Sequence, residues 1–573
     1  MTEFMLTMAL AVALGWPLGR YMARVMRGDA SPGDRVFAPL ERGVYRLLGA
    51  GAQGGMTWRG YATNFLLANL VLGTVVWGLL MAQGALPLNP DQAPGMSWDL
   101  ALHTMVSFLT NTNQQHYSGQ AQLSYLSQMV GIVGLQVITP MFGLAVLAAT
   151  LRGLFGGREA MQATGEVREG IDRDVGNFWI DITRATLRIL LPLCLLWSLL
   201  LASQGVPSTL ARGADVTPID ASAGMAAQHI PVGPVAPMVA VKQLGTNGGG
   251  WYGPNSAVAL ENPTPFSNLL QTLAIILIPV AIAFMVGPFT GRRRFGTFVF
   301  ATMLGMSLLS TGAAMLAETA SGTNAANGTN TAVMEGKEVR NGVAASALWG
   351  ALTTQTSNGS VNAMHDSMAP LTGGVEIANM LVNAIWGGIG CGALQFIVYL
   401  LLAVFLAGLM TGRTPELFGR KIEAPEVRLL ALLILLQPLA LLGFTAAALA
   451  LPAFTGNSNP GFHGISQVFY EYASAFANNG SGFEGLGDNT IWWNTTTAMV
   501  LALGRFPALL VPLAVAGLLA KKRVAPESPG TLHVETPTFA LTLVSIIVIL
   551  TVLQFLPALV LGPIADHLQL MSL

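Results

Sequence analysis

Charge is scarce in this sequence. Asp, Glu, Lys and Arg make up 10% of its 573 residues, against roughly 25% in a soluble globular protein. With 52% hydrophobic residues, that shortage excludes a large soluble enzyme. A net charge of -1 gives no basic surface for nucleic acid. Cysteine is scarcer still. Cys194 and Cys391 both sit in apolar runs and read as small buried hydrophobes. Neither a disulfide framework nor a zinc site follows from them. No glycine-rich loop ends in Gly-Lys-Ser/Thr, so no nucleotide is expected on this chain. The Asp-Lys-Thr-Gly sequence that P-type pumps phosphorylate is also absent. Gly245 to Gly250 is glycine-rich, but Trp251 follows it instead of a lysine. Metal-ligand spacing is missing as well. His103, His116, His365 and His463 are scattered, His229 and His533 lie in polar stretches, and His567 is near the end. No metal site made from histidine side chains is expected.

Long apolar runs are present instead, many of about the 20 residues that a helix needs to cross a bilayer. Ten spans are read, centred on 3–21, 61–81, 126–151, 185–201, 268–286, 298–317, 377–410, 429–451, 496–520 and 538–560. Leu6 to Leu18 follows Glu3 and no basic region, so it reads as a retained first span. The seventh run is too long for one crossing. Gly387, Gly388, Gly390 and Gly392 interrupt it around Cys391. Each Gly weakens a helix interior by about 1 kcal/mol relative to Ala, so a straight helix is not expected there.

Four short stretches then stand out. They are Thr110-Asn111-Thr112-Asn113, Gly245-Thr246-Asn247-Gly248, Thr356-Ser357-Asn358-Gly359 and Ala477-Asn478-Asn479-Gly480. Each follows a modest apolar run and precedes a long one. The pattern is a small or hydroxyl residue, then polar residues including Asn, then Gly in all but the first. One such cluster is an ordinary turn signal. Four in register are an internal repeat. A short helix that runs into Thr, Asn and Gly and then into a span reads as half of a pore. Gly permits backbone angles that a side chain forbids, and rings of main-chain carbonyls can replace the hydration shell of a potassium ion. The expected ligands are main-chain carbonyls near Asn111, Thr112, Thr246, Asn247, Ser357, Asn358, Asn478 and Asn479. Asn113, where the others have Gly, makes the ring imperfectly fourfold.

Loop charge tests the reading independently. The loops after spans 1, 3, 5, 7 and 9 carry nearly all of the Lys and Arg: Arg24 to Arg59, Arg152 to Arg173, Arg292 to Arg294, Arg413 to Arg428, and Lys521 to Arg523. The other side has scattered residues, Arg212, Lys242, Lys337 and Arg340. The positive-inside rule places the Arg-rich loops in the cytoplasm. All four stretches and both termini then face outward. The expected fold is an all-α polytopic membrane protein with four pseudo-symmetric repeats, each a span, pore helix, filter and span, as in potassium channels. The division is 1–60 for the first span and loop, then repeats over 61–151, 183–288, 297–411 and 427–520, and 537–573 for the last span and tail.

Three charged residues need comment. Arg505 lies inside span 9, and an intramembrane charge is a functional hypothesis by default. The bland alternative is a snorkelling side chain. Below the filter, Arg505 would repel a cation or pair with an acid on another subunit. Glu261 and Glu484 lie near the second and fourth stretches. They either draw cations to the mouth or are solvated loop acids.

With these residues in hand, the sequence resembles a known family, the potassium-binding A subunits of bacterial potassium-transporting Kdp ATPases. The resemblance rests on the four stretches, extended to Gly249-Gly250, Ser360 and Ser481-Gly482-Phe483, and on Gly412-Arg413-Thr414-Pro415-Glu416. It covers essentially the whole chain. It implies K+ as the transported ion, held at a periplasmic-side filter in the bacterial inner membrane. It implies three partners: a P-type ATPase subunit that hydrolyses ATP, a single-span subunit with a periplasmic domain, and a small single-span subunit. It also implies that Gly387, Gly388 and Gly390 belong to a gating region and that Arg505 takes part in passing ions to the pump subunit. A passive or ion-coupled potassium transporter of the same architecture is the alternative.

Overall fold

A computed structural model of the chain describes residues 2–49, 54–156, 174–220, 224–321, 334–526 and 532–572. Arg158, Arg168 and Arg173 lie outside the described residues. Among the described residues, ten helices are long and apolar enough to cross a membrane. In order they are Thr2–Arg27, Trp58–Ala85, Ser127–Phe155, Phe178–Ser203, Pro265–Thr290, Arg293–Ala320, Cys391–Met410, Ala424–Ala450, Ile491–Ala520 and Pro537–Ser572. Most begin earlier than the apolar runs suggest, because polar caps and first turns belong to the helix but not to its greasy core. Span 5 starts at Pro265 behind a Thr264–Ser267 capping box, and span 8 behind a Glu423–Glu426 box. Thr490 and Thr536 cap spans 9 and 10 through their side chains. Such caps satisfy backbone N–H groups that the first turn leaves unpaired.

A short helix leads into each of the four stretches: Trp98–Leu109, Val235–Leu244, Gly342–Gln355 and Gly461–Ala477. Spans 2 and 3, 4 and 5, 6 and 7, and 8 and 9 flank them in turn, which makes the architecture pseudo-symmetric. The short helices are surrounded by protein, and Val235, Met238, Val239, Ala240 and Leu244 are fully buried. Irregular backbone at membrane depth requires that surrounding. Spans 5 and 3 form the centre, with their most apolar windows 89% and 72% buried, while span 10 is 22% buried and lies on the rim.

Span 7 is broken, as its glycines suggest. A helix over Pro370–Val382 ends on Asn383 in the left-handed region. Gly387 and Gly390 also have positive φ. The lower helix then starts at Cys391. Glycine is required at 390, where a Cβ would lie 2.1 Å from the Gly143 carbonyl oxygen of span 3.

Hydrophobic patterning did not separate several smaller elements. A helix over Asp34–Leu48 lies in the first Arg-rich loop, and the chain ends in a helix over Ala565–Ser572. Two-stranded hairpins join Ala214–Val216 to Gln228–Ile230 and Glu416–Leu417 to Arg420–Lys421. The first of these helices supplies the acids that pair with Arg188, a charge within span 4. Arg188 donates to Glu41 at 2.5 and 2.8 Å and pairs with Asp34.

Candidate functional site

The four stretches share one backbone conformation. In each, the N–H of the third residue bonds to the carbonyl five residues earlier: Thr112 to Ser107 at 2.9 Å, Asn247 to Lys242 at 3.0 Å, Asn358 to Thr353 at 2.9 Å and Asn479 to Ser474 at 2.9 Å. This is the wider bond of a Schellman helix end, which requires a left-handed residue just before it. Asn111, Thr246, Ser357 and Asn478 fill that place, with φ of 64, 51, 50 and 55°. Thr110, Gly245 and Thr356 cap their helices, and Ala477 is the last residue of its own. Two residues further on the backbone is left-handed again, at Asn113, Gly248, Gly359 and Gly480. The N–H groups are thus folded back into the helix ends. Among the described residues, no main-chain donor reaches the carbonyls of Thr112, Asn247, Asn358 or Asn479.

The stretches also meet in a closed cycle. A Cβ on Gly248 would lie 2.0 Å from the Asn358 carbonyl oxygen, one on Gly359 1.9 Å from that of Asn479, and one on Gly480 2.3 Å from that of Thr112. Each glycine therefore faces the third residue of the next stretch. Asn113 closes the cycle with a real Cβ. The site facing it is Gly249, where a side chain would meet that Cβ at 2.7 Å. The aligned positions elsewhere are Gln114, Ser360 and Ser481. The departure at Asn113 is thus matched by a glycine in its neighbour.

Asparagine amides staple one stretch to the next. Asn358 donates to the Lys242 carbonyl at 3.1 Å and Asn479 to that of Thr353 at 2.9 Å. Asn111 reaches the carbonyls of Gly245 and Thr246 at 3.2 and 3.1 Å. Asn247 donates to Asn111 Oδ1 at 2.8 Å and to the Gln136 carbonyl at 2.9 Å. Pro140 explains the last bond. Lacking an N–H, it leaves the carbonyl four residues earlier without its helical partner.

Asn113, Gly248, Gly359 and Gly480 line one cavity together with Glu471, Glu484 and Asp488. Burial pushes the Glu484 carboxyl up to about 7, against a hydrogen bond from the Asp366 N–H. Burial likewise raises Asp488 to about 6. Beneath the second and third stretches lies the break in span 7. Gln355 O accepts from Gly387 N at 2.7 Å, and Ile389 N donates to Thr246 Oγ1 at 3.2 Å. A Cβ on Gly388 would sit 3.7 Å from that of Ser357. Arg505 is 3% exposed. It donates to Cys391 Sγ at 2.9 Å and to the Thr139 carbonyl at 3.2 Å. It therefore ties span 9 to span 3 and to the lower half of span 7. Four helix C-termini with free carbonyls present negative potential without a formal charge, which suits a cation.

Some sequence expectations are corrected. Glu261 is neither solvated nor at the mouth. It is fully buried, pairs with Lys242, and accepts from Tyr252 N at 3.1 Å. The fold also brings together a group that sequence spacing does not show, since His116, Glu471 and Asp488 each bring one ligand atom within 4.8 Å of the others. Sequence spacing hid it because 355 positions separate His116 from Glu471. Asn383 lies outside the four stretches. It accepts from Ser357 Oγ at 2.7 Å and donates to the Ala477 carbonyl at 3.2 Å, so it bridges the third and fourth stretches. A lone Asn just before the glycine cluster was the available signal.

The family described as "KdpA: Potassium-transporting ATPase A subunit" matches residues 5–568. A protein of Gloeobacter violaceus named potassium-transporting ATPase potassium-binding subunit is 45% identical over 98% of this chain and 97% of its own. One of the same name from Pseudomonas putida is 45% identical over 99% of both. Among solved structures, the potassium transporter TrkH from Vibrio parahaemolyticus is 15% identical, with a TM-score of 0.49 over 78% of this chain and 84% of that one. The chain belongs to the family of potassium-transporting ATPase A subunits.

Proposed function

We propose that this chain binds and translocates potassium as one subunit of an ATP-driven uptake pump of the bacterial inner membrane. The four stretches form its filter on the periplasmic side. The ligands are mostly main-chain carbonyls of Thr110 to Asn113, Gly245 to Gly248, Thr356 to Gly359 and Ala477 to Gly480. The observation that carries this reading is the doubled left-handed position repeated in all four stretches. Relatives bearing the name potassium-binding subunit support the choice of ion. Gly387, Gly388 and Gly390 shape the passage beneath the filter, and Arg505 directs the ion sideways to a separate P-type ATPase subunit. A single-span subunit with a periplasmic domain and a small single-span subunit complete the complex. The repeats over 61–151, 183–288, 297–411 and 427–520 are its functional units.

The test uses a bacterial strain without high-affinity potassium uptake. Expressed with its ATPase and single-span partners, the chain should restore growth at micromolar-range potassium and uptake that consumes ATP. Purified alone, it should hydrolyse no ATP. Uptake by the chain without partners would favour the passive or ion-coupled transporter instead.

Orientation is testable separately. A reporter fused after Lys522 should read cytoplasmic and one fused after Arg212 periplasmic. The opposite result at both sites overturns the topology. Glu484 gives a pH prediction. Its carboxyl is raised to about 7, so it is charged above that pH and neutral below. Apparent potassium affinity should weaken as pH falls from about 8 to about 6. Glu484→Gln should show the low-pH affinity throughout and lose that part of the pH dependence.

A further inference from the structure

One cluster at the mouth is not needed for a carbonyl filter. His116 and Glu471 are each 3% exposed, and Asp488 is half-buried. Asn494 fixes the imidazole. Its Nδ2 donates to Asp99 Oδ2 at 2.9 Å, which turns its Oδ1 toward His116 Nδ1 at 2.8 Å. An amide oxygen only accepts, so Nδ1 carries a proton. Nε2 then faces Glu471 Oε1 at 3.3 Å. In a neutral ring this sets a lone pair against a carboxylate, an arrangement that needs a cation or a second proton between them. Tying the second ring nitrogen to a carbonyl is also how metal-ligating histidines are oriented.

Unsatisfied polar atoms surround the same place. Asn113, 3% exposed, has neither amide atom hydrogen-bonded and lines the cavity with Glu471 and Asp488. Gln114 donates to Glu471 Oε1 at 2.5 Å, but its own Oε1 has no partner. Two other histidines sit between acids without forming such a group. His463 meets Asp566 at Nδ1 and Asp366 at Nε2, and His229 meets Asp215 and Asp91 in the same divided way. There the ring separates the carboxylates.

We propose that His116, Glu471 and Asp488 form a site for a divalent transition-metal cation of the zinc class, at the outer mouth above the four stretches. One nitrogen and two carboxylates are a zinc-type donor set, whereas calcium and magnesium prefer oxygen alone. A neutral imidazole with two carboxylates also balances a double positive charge. Metal bonds of about 2.0–2.2 Å hold opposite ligands at most about 4.4 Å apart. The ligand atoms lie within 4.8 Å of one another, so a small rotation of half-buried Asp488 completes the site.

The test is Co2+ titration of the purified full-length, tag-free chain in detergent, after chelator stripping, read by visible absorption. It measures binding by the chain alone, so its outcome is separate from that of the transport reading. One equivalent of Co2+ should bind, displaceable by Zn2+. His116→Ala and Asp488→Asn should each weaken binding at least tenfold while leaving the thermal melting midpoint unchanged. His116→Cys should keep binding and add a sulfur-to-cobalt charge-transfer band, which only a direct ligand produces. A wild-type chain that binds no Co2+ overturns the proposal. So does a His116→Ala chain, folded by its melt, that binds as tightly as wild type.

Discussion

Replacing Gly248, Gly359 or Gly480 by Ala should weaken apparent potassium affinity at least tenfold and narrow discrimination against sodium. Two costs combine. The φ values are 76, 84 and 101°, where a side chain costs roughly 1–2 kcal/mol. The added methyl would also lie 2.0, 1.9 and 2.3 Å from a carbonyl oxygen of the next stretch. That oxygen must retreat by about 1 Å, and it belongs to the proposed ligand set. A tenfold change corresponds to about 1.4 kcal/mol, less than the two costs together. Controls separate this from generic damage. Gly305→Ala in span 6 meets nothing within 4 Å and should leave transport unchanged. Asn113→Gly removes a Cβ that Gly249 already accommodates, so its effect should be small, whereas Gly249→Ala meets that Cβ at 2.7 Å and should behave like the three glycines. Potassium uptake by the assembled complex, with sodium and rubidium as competitors, measures all six. Wild-type affinity and selectivity in the three glycine variants, with normal assembly, would remove the filter assignment.

The features legible in the sequence are those that recur. The spans are legible because the bilayer demands long apolar runs, and the break in span 7 because four glycines cannot sit comfortably in a helix. The four stretches are legible because each ends a short helix in left-handed backbone, which favours Asn and Gly, beside small hydroxyl residues. The exact partners are not periodic and were not legible. Lys242 looks like a loop charge, but a fully buried Glu261 neutralises it. Glu471 sits in a largely apolar helix, and only the fold brings it to His116. Asn383 links two stretches from within what reads as a single span. Compensation between Asn113 and Gly249 is likewise invisible in the sequence, because the two residues lie far apart along the chain and meet only when their stretches pack together. Local backbone chemistry repeats in sequence, whereas contacts between repeats depend on how the repeats are arranged in space.

Arg505 tests the proposed route of the ion. A permanently charged guanidinium buried in a span costs roughly 2.5–3.5 kcal/mol by insertion scales. No carboxylate among the described residues forms an ion pair with it; its bonds go to a main-chain carbonyl and a thiol. Its charge is therefore not cancelled where it stands, close under the broken part of span 7. For an ion about 10 Å away and an effective dielectric of about 20, that charge raises the energy by roughly 1.7 kcal/mol. This is roughly a fifteen- to twentyfold loss of occupancy straight below the filter, and it favours a lateral exit. Arg505→Met keeps an apolar stem and removes the field. The complex should still assemble and outer selectivity should survive, while potassium moved per ATP falls several-fold. Arg505→Lys should restore part of the ratio if the charge is what matters. It should restore little if the fork spanning Cys391 and Thr139 is required, because lysine offers a compact point charge rather than a planar pair of donors. Cys391→Ser, which retains an acceptor for that fork, should transport normally. Uptake and ATP hydrolysis measured on the same reconstituted complex decide the matter. If Arg505→Met leaves both rates and their ratio at wild-type values, the residue is a structural tie between three spans and the sideways route has no support from it.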